Sequence, residues 1–398
     1  MRAILSAMRC RLHYALSIAT VLSVVEANAQ APPPAESRFR YGGEVVVNVA
    51  PVDPGYFNTT DYGDDSLRLF RLNLALELRP SETFSLLAEI RTDNLDAPRP
   101  YALYLRFRPF RERAFAVQAG RVPPVFGAFL RRRYEYDNPL IGYPLPYQYP
   151  AVLRPDSAPE NLYQVLAYRG YGARVRYPIG ETTVASGLAQ VNPIRWDTGV
   201  SVNIGGEPLA LAVAVTQGTI SWPRVDDDNG GKQLAARLGW RPAFGAELGV
   251  SAARGDYVSD EVKALLEGNR SSDQTAVGLD AELARGSWIL RGEAIWSAWD
   301  APSLATAPLG SFGFTAEGRY KVQAGLFLAA RISGLRYETV SSDVRTETWD
   351  ANVTRFEGGV GYSFHRNVLG KLVIQYNERD ATRVPSRWIP ALQLLLWF

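Results

Sequence analysis

The feature that most limits the fold of this chain is a recurring stretch of about ten residues in which apolar and polar side chains alternate. In residues 70–79, FRLNLALELR, every second side chain is phenylalanine or leucine, and the positions between are mostly charged or polar. Residues 101–108 place Tyr101 on the apolar face and Arg106 on the polar face, and residues 312–321 repeat the pattern. Alternation of this period is typical of β-strands, so we predict an all-β fold.

The connections between these segments alternate between short and long. Short turns are predicted at 79–83, 108–113, 177–181, 205–208, 241–245, 284–287, 321–325 and 365–370. The mostly longer links fall at 50–66, 92–100, 121–164, 192–198, 218–232, 255–273, 299–311, 336–355 and 380–387. This pattern predicts an antiparallel barrel of eighteen strands, or sixteen if one weak pair such as that in 182–204 is misread. Short turns at one end and long loops at the other favour a transmembrane barrel over a soluble β-protein.

The N-terminal residues have the composition of a targeting segment. A basic start is followed by the apolar run 14–25 and then by Ala27-Asn28-Ala29, which is similar to a signal-peptidase site. We therefore predict a secretory signal peptide over residues 1–29, which would remove Cys10, and a short periplasmic segment over residues 30–37. The barrel would then occupy residues 38–398.

The chain ends in ALQLLLWF, in which Leu392, Leu394, Leu396 and Phe398 share one face. A last strand that stops on an aromatic residue resembles the bacterial outer-membrane β-barrels, in which this strand closes the barrel. The resemblance implies an outer-membrane location and contact with lipid and lipopolysaccharide. It also implies that the barrel-assembly machinery recognises Phe398.

Composition excludes several other classes of protein. Without the three arginines and one glutamate of residues 1–29, the chain has 40 basic and 40 acidic residues, and only four of the basic ones are lysine. This balance is not that of a nucleic-acid-binding protein. After the signal segment, no apolar run reaches the roughly 20 residues that a transmembrane helix needs.

No motif predicts catalysis, a cofactor or a metal site. His365 is the one histidine after the signal segment, and it lacks a recognisable nucleophile and orienting partner. DDDNGG at 226–231 starts like a calcium loop, but Arg237 stands where the bidentate glutamate would be. We therefore predict that the protein is not an enzyme and carries no cofactor.

A barrel of sixteen to eighteen strands encloses a space that its own wall side chains do not fill, so an aqueous channel is expected. Charged residues at alternate positions predict the pore lining. They are Arg71, Glu77, Glu89, Arg91, Arg106, Arg108, Arg174, Arg237, Glu293 and Arg331. These charges can either select ions or pair across neighbouring strands, and the sequence leaves both roles open.

One long segment breaks the alternation: FLRRRYEYDNPLIGYPLPYQYP, residues 129–150, within the predicted third loop at 121–164. Its position resembles the third loop of general porins, which folds into the barrel. GRVPPVFG at 120–127 followed by DNPLIG resembles porin-like proteins of the phosphate-selective type, although the lysine-rich wall of that type is missing. The predicted pore constriction consists of Arg131, Arg132, Arg133, Glu135 and Asp137. The arginines would either contact solutes or anchor the loop to wall acids such as Glu89 or Glu77.

These observations predict a porin-like channel for passive diffusion of small polar solutes or ions, with a bias towards anions. A homotrimer is an assembly that this class allows. The alternative is a plugged barrel that serves as an adhesin, a receptor or a structural anchor.

Overall fold

The computed structural model describes residues 38–60, 63–110, 114–132, 134–193, 196–227, 230–266, 270–304, 306–343, 345–381 and 387–398, without the side chain of Arg131. The predicted signal peptide at 1–29 and the segment at 30–37 lie outside the described residues. Among the described residues, no helix is long and apolar enough to cross a bilayer.

The described residues form a closed antiparallel barrel of sixteen strands, the lower of the two predicted counts. The strands are β1 (Phe39–Val49), β2 (Phe70–Leu78), β3 (Phe84–Asp93), β4 (Arg99–Phe107), β5 (Phe115–Val122), β6 (Asp197–Gly205), β7 (Leu209–Thr216), β8 (Gln233–Ala243), β9 (Ala246–Asp256), β10 (Asp273–Arg285), β11 (Trp288–Trp299), β12 (Leu309–Gln323), β13 (Leu326–Tyr337), β14 (Val353–His365), β15 (Val368–Arg379) and β16 (Arg387–Trp397). Each strand pairs with the next, and β1 pairs with β16 from Glu44 opposite Trp397 to Val49 opposite Leu392. The predicted fold class is confirmed.

The strand count falls to sixteen because the predicted turn at 177–181 is not a turn between wall strands. Residues 179–180 instead pair with residues 157–158 inside the third loop, which extends over 123–196 rather than 121–164. The apolar residues of this stretch, such as Val175 and Tyr177, are buried against other loops. Their alternation resembles that of a wall strand because burial against protein and burial against lipid select the same side chains.

The outer surface of the barrel is a belt of exposed apolar side chains. Leu105 on β4, Leu234 on β8 and Leu372 on β15 are each more than half exposed. Trp288 and Trp388 lie exposed at strand ends, where aromatic side chains anchor a barrel at the membrane interface. An apolar belt this large is stable only in lipid, so the closed barrel spans a membrane and the predicted outer-membrane location is confirmed.

A register shift between β3 and β4 changes which face of the wall one residue takes. The register between β3 and β4 shifts between Glu89 and Ile90, so that Glu89 pairs with Ala102 and Ile90 pairs with Pro100. Tyr101 is the extra residue. It is buried, and its hydroxyl donates to the Pro193 carbonyl oxygen. The prediction that the Tyr101 side chain faces outward is therefore wrong. A β-bulge inserts one residue and thereby changes which face a side chain takes.

At the long-loop end, extracellular in this class of barrel, the loops pack together into a cap with an apolar core. The cap contains Trp299, Trp349, Tyr177, Val152 and Phe57, all nearly fully buried. In the described part of the loops there are three short α-helices: α1 (Leu145–Gln148), α2 (Leu162–Ala167) and α3 (Asp260–Leu265).

A buried carboxylate joins two of the loops in the cap. Asp350 accepts hydrogen bonds from the backbone N–H groups of Val152 (2.9 Å), Gly170 (2.8 Å) and Ala351 (2.7 Å). Burial raises the pKa of the Asp350 carboxyl to about 6, so it is mostly ionised at neutral pH. The carboxylate thereby fixes residues 150–170 of the third loop to the loop between β13 and β14.

We predict that Asp350→Asn loosens the cap while the barrel stays intact. The amide nitrogen cannot accept a hydrogen bond, and a buried N–H left without an acceptor costs about 1–3 kcal/mol. Hydrogen exchange at Val152 and Gly170, and protease cleavage within residues 123–196, should both increase. Asp343→Asn, an exposed acid of the same loop, is the control. Equal protection in the two variants would contradict this role of Asp350.

Candidate functional site

The third loop enters the barrel and packs on part of its inner wall. Leu140 and Ile141 are fully buried in a cluster with the inward-facing Val46 of β1 and Val373 of β15. Helix α1 contacts β12, β13 and β14. The irregular backbone of residues 134–150 therefore lies within the lumen, where protein and water, rather than lipid, surround it.

A lysine on the barrel wall binds backbone carbonyl oxygens of the third loop. Lys371 on β15 is 1% exposed, and its Nζ donates to the carbonyl oxygens of Glu135 (2.8 Å), Asn138 (2.6 Å) and Leu140 (3.3 Å). An ammonium group has three donors, and here each one has an acceptor. This contact fixes the turn of the loop that contains residues 135–140.

Arg71 on β2 joins the loop to two neighbouring strands. Its Nε lies 2.7 Å from Asp93 on β3, and its Nη1 lies 3.1 Å from Glu135 Oε1 and 3.0 Å from the Tyr143 hydroxyl. The backbone N–H of Glu135 in turn donates to Glu44 Oε2 on β1 at 3.0 Å. Glu135 is therefore bound through both its side chain and its backbone.

A second set of charges lies on β11 to β14. Arg331 on β13 pairs with Glu357 (2.5 Å) and Glu317 (3.3 Å) and donates to the Gly142 carbonyl oxygen (3.3 Å). Arg132 of the loop pairs with Glu317 at 2.7 Å, and its guanidinium lies 4.5 Å from the centre of the Phe129 ring.

Glu293 on β11 completes the anchorage on this side. Its Oε1 accepts from the Ala128 backbone N–H (2.8 Å) and from the Tyr147 hydroxyl (2.7 Å). Arg355 on β14 donates to the carbonyl oxygens of Tyr143 (3.1 Å) and Phe57 (2.7 Å), which links the third loop to the first loop, the segment between β1 and β2.

Of the five predicted constriction residues, Arg132 and Glu135 lie in the lumen as buried or half-buried anchors. Asp137 is exposed, and Arg133 and the side chain of Arg131 lie outside the described residues. The anchoring partner of Arg132 is Glu317, whereas Glu77 and Glu89 had been predicted. This partner depends on how deeply the loop enters the barrel, which strand alternation does not reveal.

Nine of the ten predicted pore-lining residues lie on wall strands or directly after one, and Arg174 does not. Arg174 belongs to the third loop, in the segment Gly172–Arg174, and is exposed at the cap. The predictions for Arg174 and for the turn at 177–181 are wrong for the same reason, because this whole segment belongs to the third loop and not to the wall. Lys371 and Arg355 were not predicted, although both stand at inward positions of alternating strands, and that alternation could have revealed them.

The loop leaves open space along β5 to β8. A cavity of about 680 Å³ lies there beneath Pro123–Val125. Its wall includes Gln118, Ser201, Asn203 and Ala212. These side chains are small or uncharged, in contrast to the long charged side chains that hold the loop on the opposite wall.

Among the described residues at the short-turn mouth beside this cavity, three arginines lie near Glu77 or line the cavity. Arg79 lies 2.9 Å and Arg106 lies 3.9 Å from Glu77, and Arg108 lines the cavity. Partial burial and the charges of Arg106 and Arg79 lower the pKa of Arg108. Glu77 is therefore within ion-pair distance of two of these guanidinium groups, those of Arg79 and Arg106.

No family profile and no curated protein sequence matches this chain. Solved structures do match it over nearly its whole length. An anion-selective porin from Comamonas acidovorans has a TM-score of 0.57 at 10% identity, covering 91% of this chain and all of that one. The outer membrane channel DcaP of Acinetobacter baumannii has a TM-score of 0.54 at 12% identity, covering 92% and 100%.

OmpT of Vibrio cholerae, an outer membrane protein described in a trimer form, has a TM-score of 0.52 at 9% identity, covering 90% and 99%. At such low identities these similarities establish the fold and nothing finer. The chain has the porin-like barrel architecture that its terminal strand and third loop predict.

We predict that Lys371→Met loosens the loop inside an intact barrel. Each hydrogen bond to a charged group contributes about 1.5–3 kcal/mol, so amide exchange in residues 134–142 should accelerate at least about tenfold. Hydrogen exchange with mass spectrometry measures this change. The control is Lys321→Met, an exposed lysine near the turn that follows β12. Unchanged exchange in Lys371→Met would show that the loop does not depend on this lysine.

Proposed function

We propose that the protein is an outer-membrane channel through which small polar solutes and ions diffuse passively. The observation that carries the proposal is the cavity of about 680 Å³ along β5 to β8, beside a loop that is fixed to the opposite wall. A loop held by this many buried hydrogen bonds and ion pairs does not move during passage, so it narrows the lumen to a constant width. Passage therefore needs no energy source and no catalytic group, and we propose no enzymatic activity.

The distribution of wall side chains supports this route. On β5 to β8 the inward residues Gln118, Ser201, Asn203 and Ala212 leave space for water. Arg237 lines the same cavity, but it is paired with Asp280 (2.6 Å) and Glu247 (3.3 Å). Arg71 is likewise paired with Asp93 and Glu135, and Arg331 with Glu317 and Glu357, so the field of these charges at the open route is weak.

We further propose that the channel favours anions because of the arginines at its short-turn mouth. Arg79 and Arg106 both lie near the carboxylate of Glu77, and Arg108 lines the open cavity. Excess positive charge at a pore mouth raises the local concentration of anions. Arg132, predicted as a selective residue, is paired with Glu317 and contributes less to this field.

We propose three kinds of partner for the barrel: membrane lipid, the assembly machinery and further copies of the chain. The outer belt would contact outer-membrane lipid and lipopolysaccharide, and Phe398 would be recognised by the barrel-assembly machinery. A homotrimer is consistent with the trimer form of the similar Vibrio cholerae barrel.

We predict stepwise currents when the refolded protein is added to a planar lipid bilayer. Ala212→Trp should reduce the unit conductance by roughly half or more, because the indole would occupy the open route. Val213→Trp is the matched control, since the next residue of β7 points to the lipid face. Absence of current in the unmodified protein would favour the plugged barrel instead. Equal unit conductance in Ala212→Trp and Val213→Trp would show that ions do not pass along β5 to β8.

We predict that Arg108→Gln lowers the preference for chloride over potassium by about twofold. A unit charge about 8 Å from the ion path in water is worth about 0.5 kcal/mol. The reversal potential across a salt gradient measures the preference, and Arg345→Gln on an extracellular loop is the control. If the reversal potential shifts more in Arg132→Gln than in Arg108→Gln, the third loop and not the short-turn mouth determines ion selectivity.

A further inference from the structure

A second cavity, of about 360 Å³, opens in the cap and is separate from the diffusion route. It lies between residues 54–56 of the first loop, residues 149–150 and 170–174 of the third loop, and Arg379 at the end of β15. No residue that lines it also lines the cavity along β5 to β8. Its volume lies within the range of about 300–1,000 Å³ that is usual for small-molecule sites.

The floor of this cavity holds a fixed positive charge. Arg379 Nη1 donates to the Gly55 carbonyl oxygen (3.2 Å) and to the Tyr149 hydroxyl (3.0 Å). Its guanidinium lies 4.9 Å from the centre of the Phe57 ring. Its buried Nε has no hydrogen-bond acceptor among the described residues. The guanidinium is thus held in one orientation by neutral partners.

A second guanidinium lies at the rim. Arg174 Nη1 is 3.4 Å from the Tyr56 hydroxyl, and both side chains are exposed. Within the part of the chain that the structure describes, the cavity lining contains no carboxylate. Two arginines face one cavity whose walls do not neutralise them, which favours a negatively charged ligand.

Local backbone packing keeps the two arginines on the same cavity. A side-chain carbon at Gly172 would collide with the Pro150 carbonyl oxygen, so only glycine allows residues 170–174 to lie this close to residues 149–150. The rest of the lining is mostly apolar, with Pro54, Pro150 and Val184 around the rings of Tyr56 and Tyr171.

We propose that this cavity binds a small organic anion, with a carboxylate on the two guanidinium groups and an apolar or ring-shaped body against the tyrosines and prolines. The planar arginine fork suits a carboxylate, and tyrosine rings provide rigid surfaces for a flat body. The site faces the extracellular side and recognises its ligand independently of conduction.

Isothermal titration calorimetry of the refolded protein with benzoate tests the proposal. Benzoate should bind saturably, benzamide should bind at least about tenfold more weakly because it lacks the charge, and acetate should bind more weakly because it lacks the ring. Arg174→Gln should weaken benzoate binding about tenfold, and Arg379→Gln should weaken it at least as much.

Arg176→Gln is the matched control, an exposed arginine of the same segment that does not line the cavity. Because Arg379 also holds two loops together, Arg174→Gln is the decisive variant, and its unit conductance should equal that of the unmodified protein. No saturable binding of benzoate would overturn the proposal. So would equal binding of benzamide, or equal affinities of Arg174→Gln and Arg176→Gln. None of these outcomes depends on whether the barrel conducts.

Discussion

The structure depends on the closure of one hydrogen-bonded ring in lipid. An unpaired strand edge would expose N–H and C=O groups to a medium that offers no partners, at a cost of several kcal/mol for each group. The pairing of β1 with β16 removes that edge, and Phe398 extends it by exchanging backbone hydrogen bonds with Gly43. Only a closed wall provides the enclosed space in which a polar loop can be held at membrane depth.

The enclosed space then sets the second requirement, which is that buried charges find partners. Lys371 is satisfied by three carbonyl oxygens, and Arg331 by two carboxylates and a carbonyl oxygen. Such groups would be costly if left unpaired, so each one strongly favours a single position of the loop. The loop is consequently fixed on one side, and the small residues of β5 to β8 leave the other side open. The proposed diffusion route lies on this open side, along β5 to β8.

Much of this architecture could be predicted from local patterns. Seven of the eight expected short turns and the inward position of residues such as Arg71, Glu293 and Arg331 follow from a period of two and from turn composition. The errors have a common origin. Alternation on both sides of the predicted turn at 177–181 suggests wall strands, and it places Arg174 in the pore lining and Tyr101 on the outer face, but alternation cannot distinguish a wall strand from a buried loop or detect a bulge.

The class of the molecule can be read from the amino-acid chain: strands of membrane-spanning length, short turns at one end, polar positions facing inward and a long irregular third loop. These features depend on neighbours in the chain, so they can be read locally. Three-dimensional packing determines which inward charge holds the loop, which space stays open and which arginines lie on one cavity in the cap. These contacts depend on strand register and on how deeply the loop enters the barrel. Both bring together residues as distant in the chain as Arg355 and Phe57. No local sequence pattern therefore encodes these contacts.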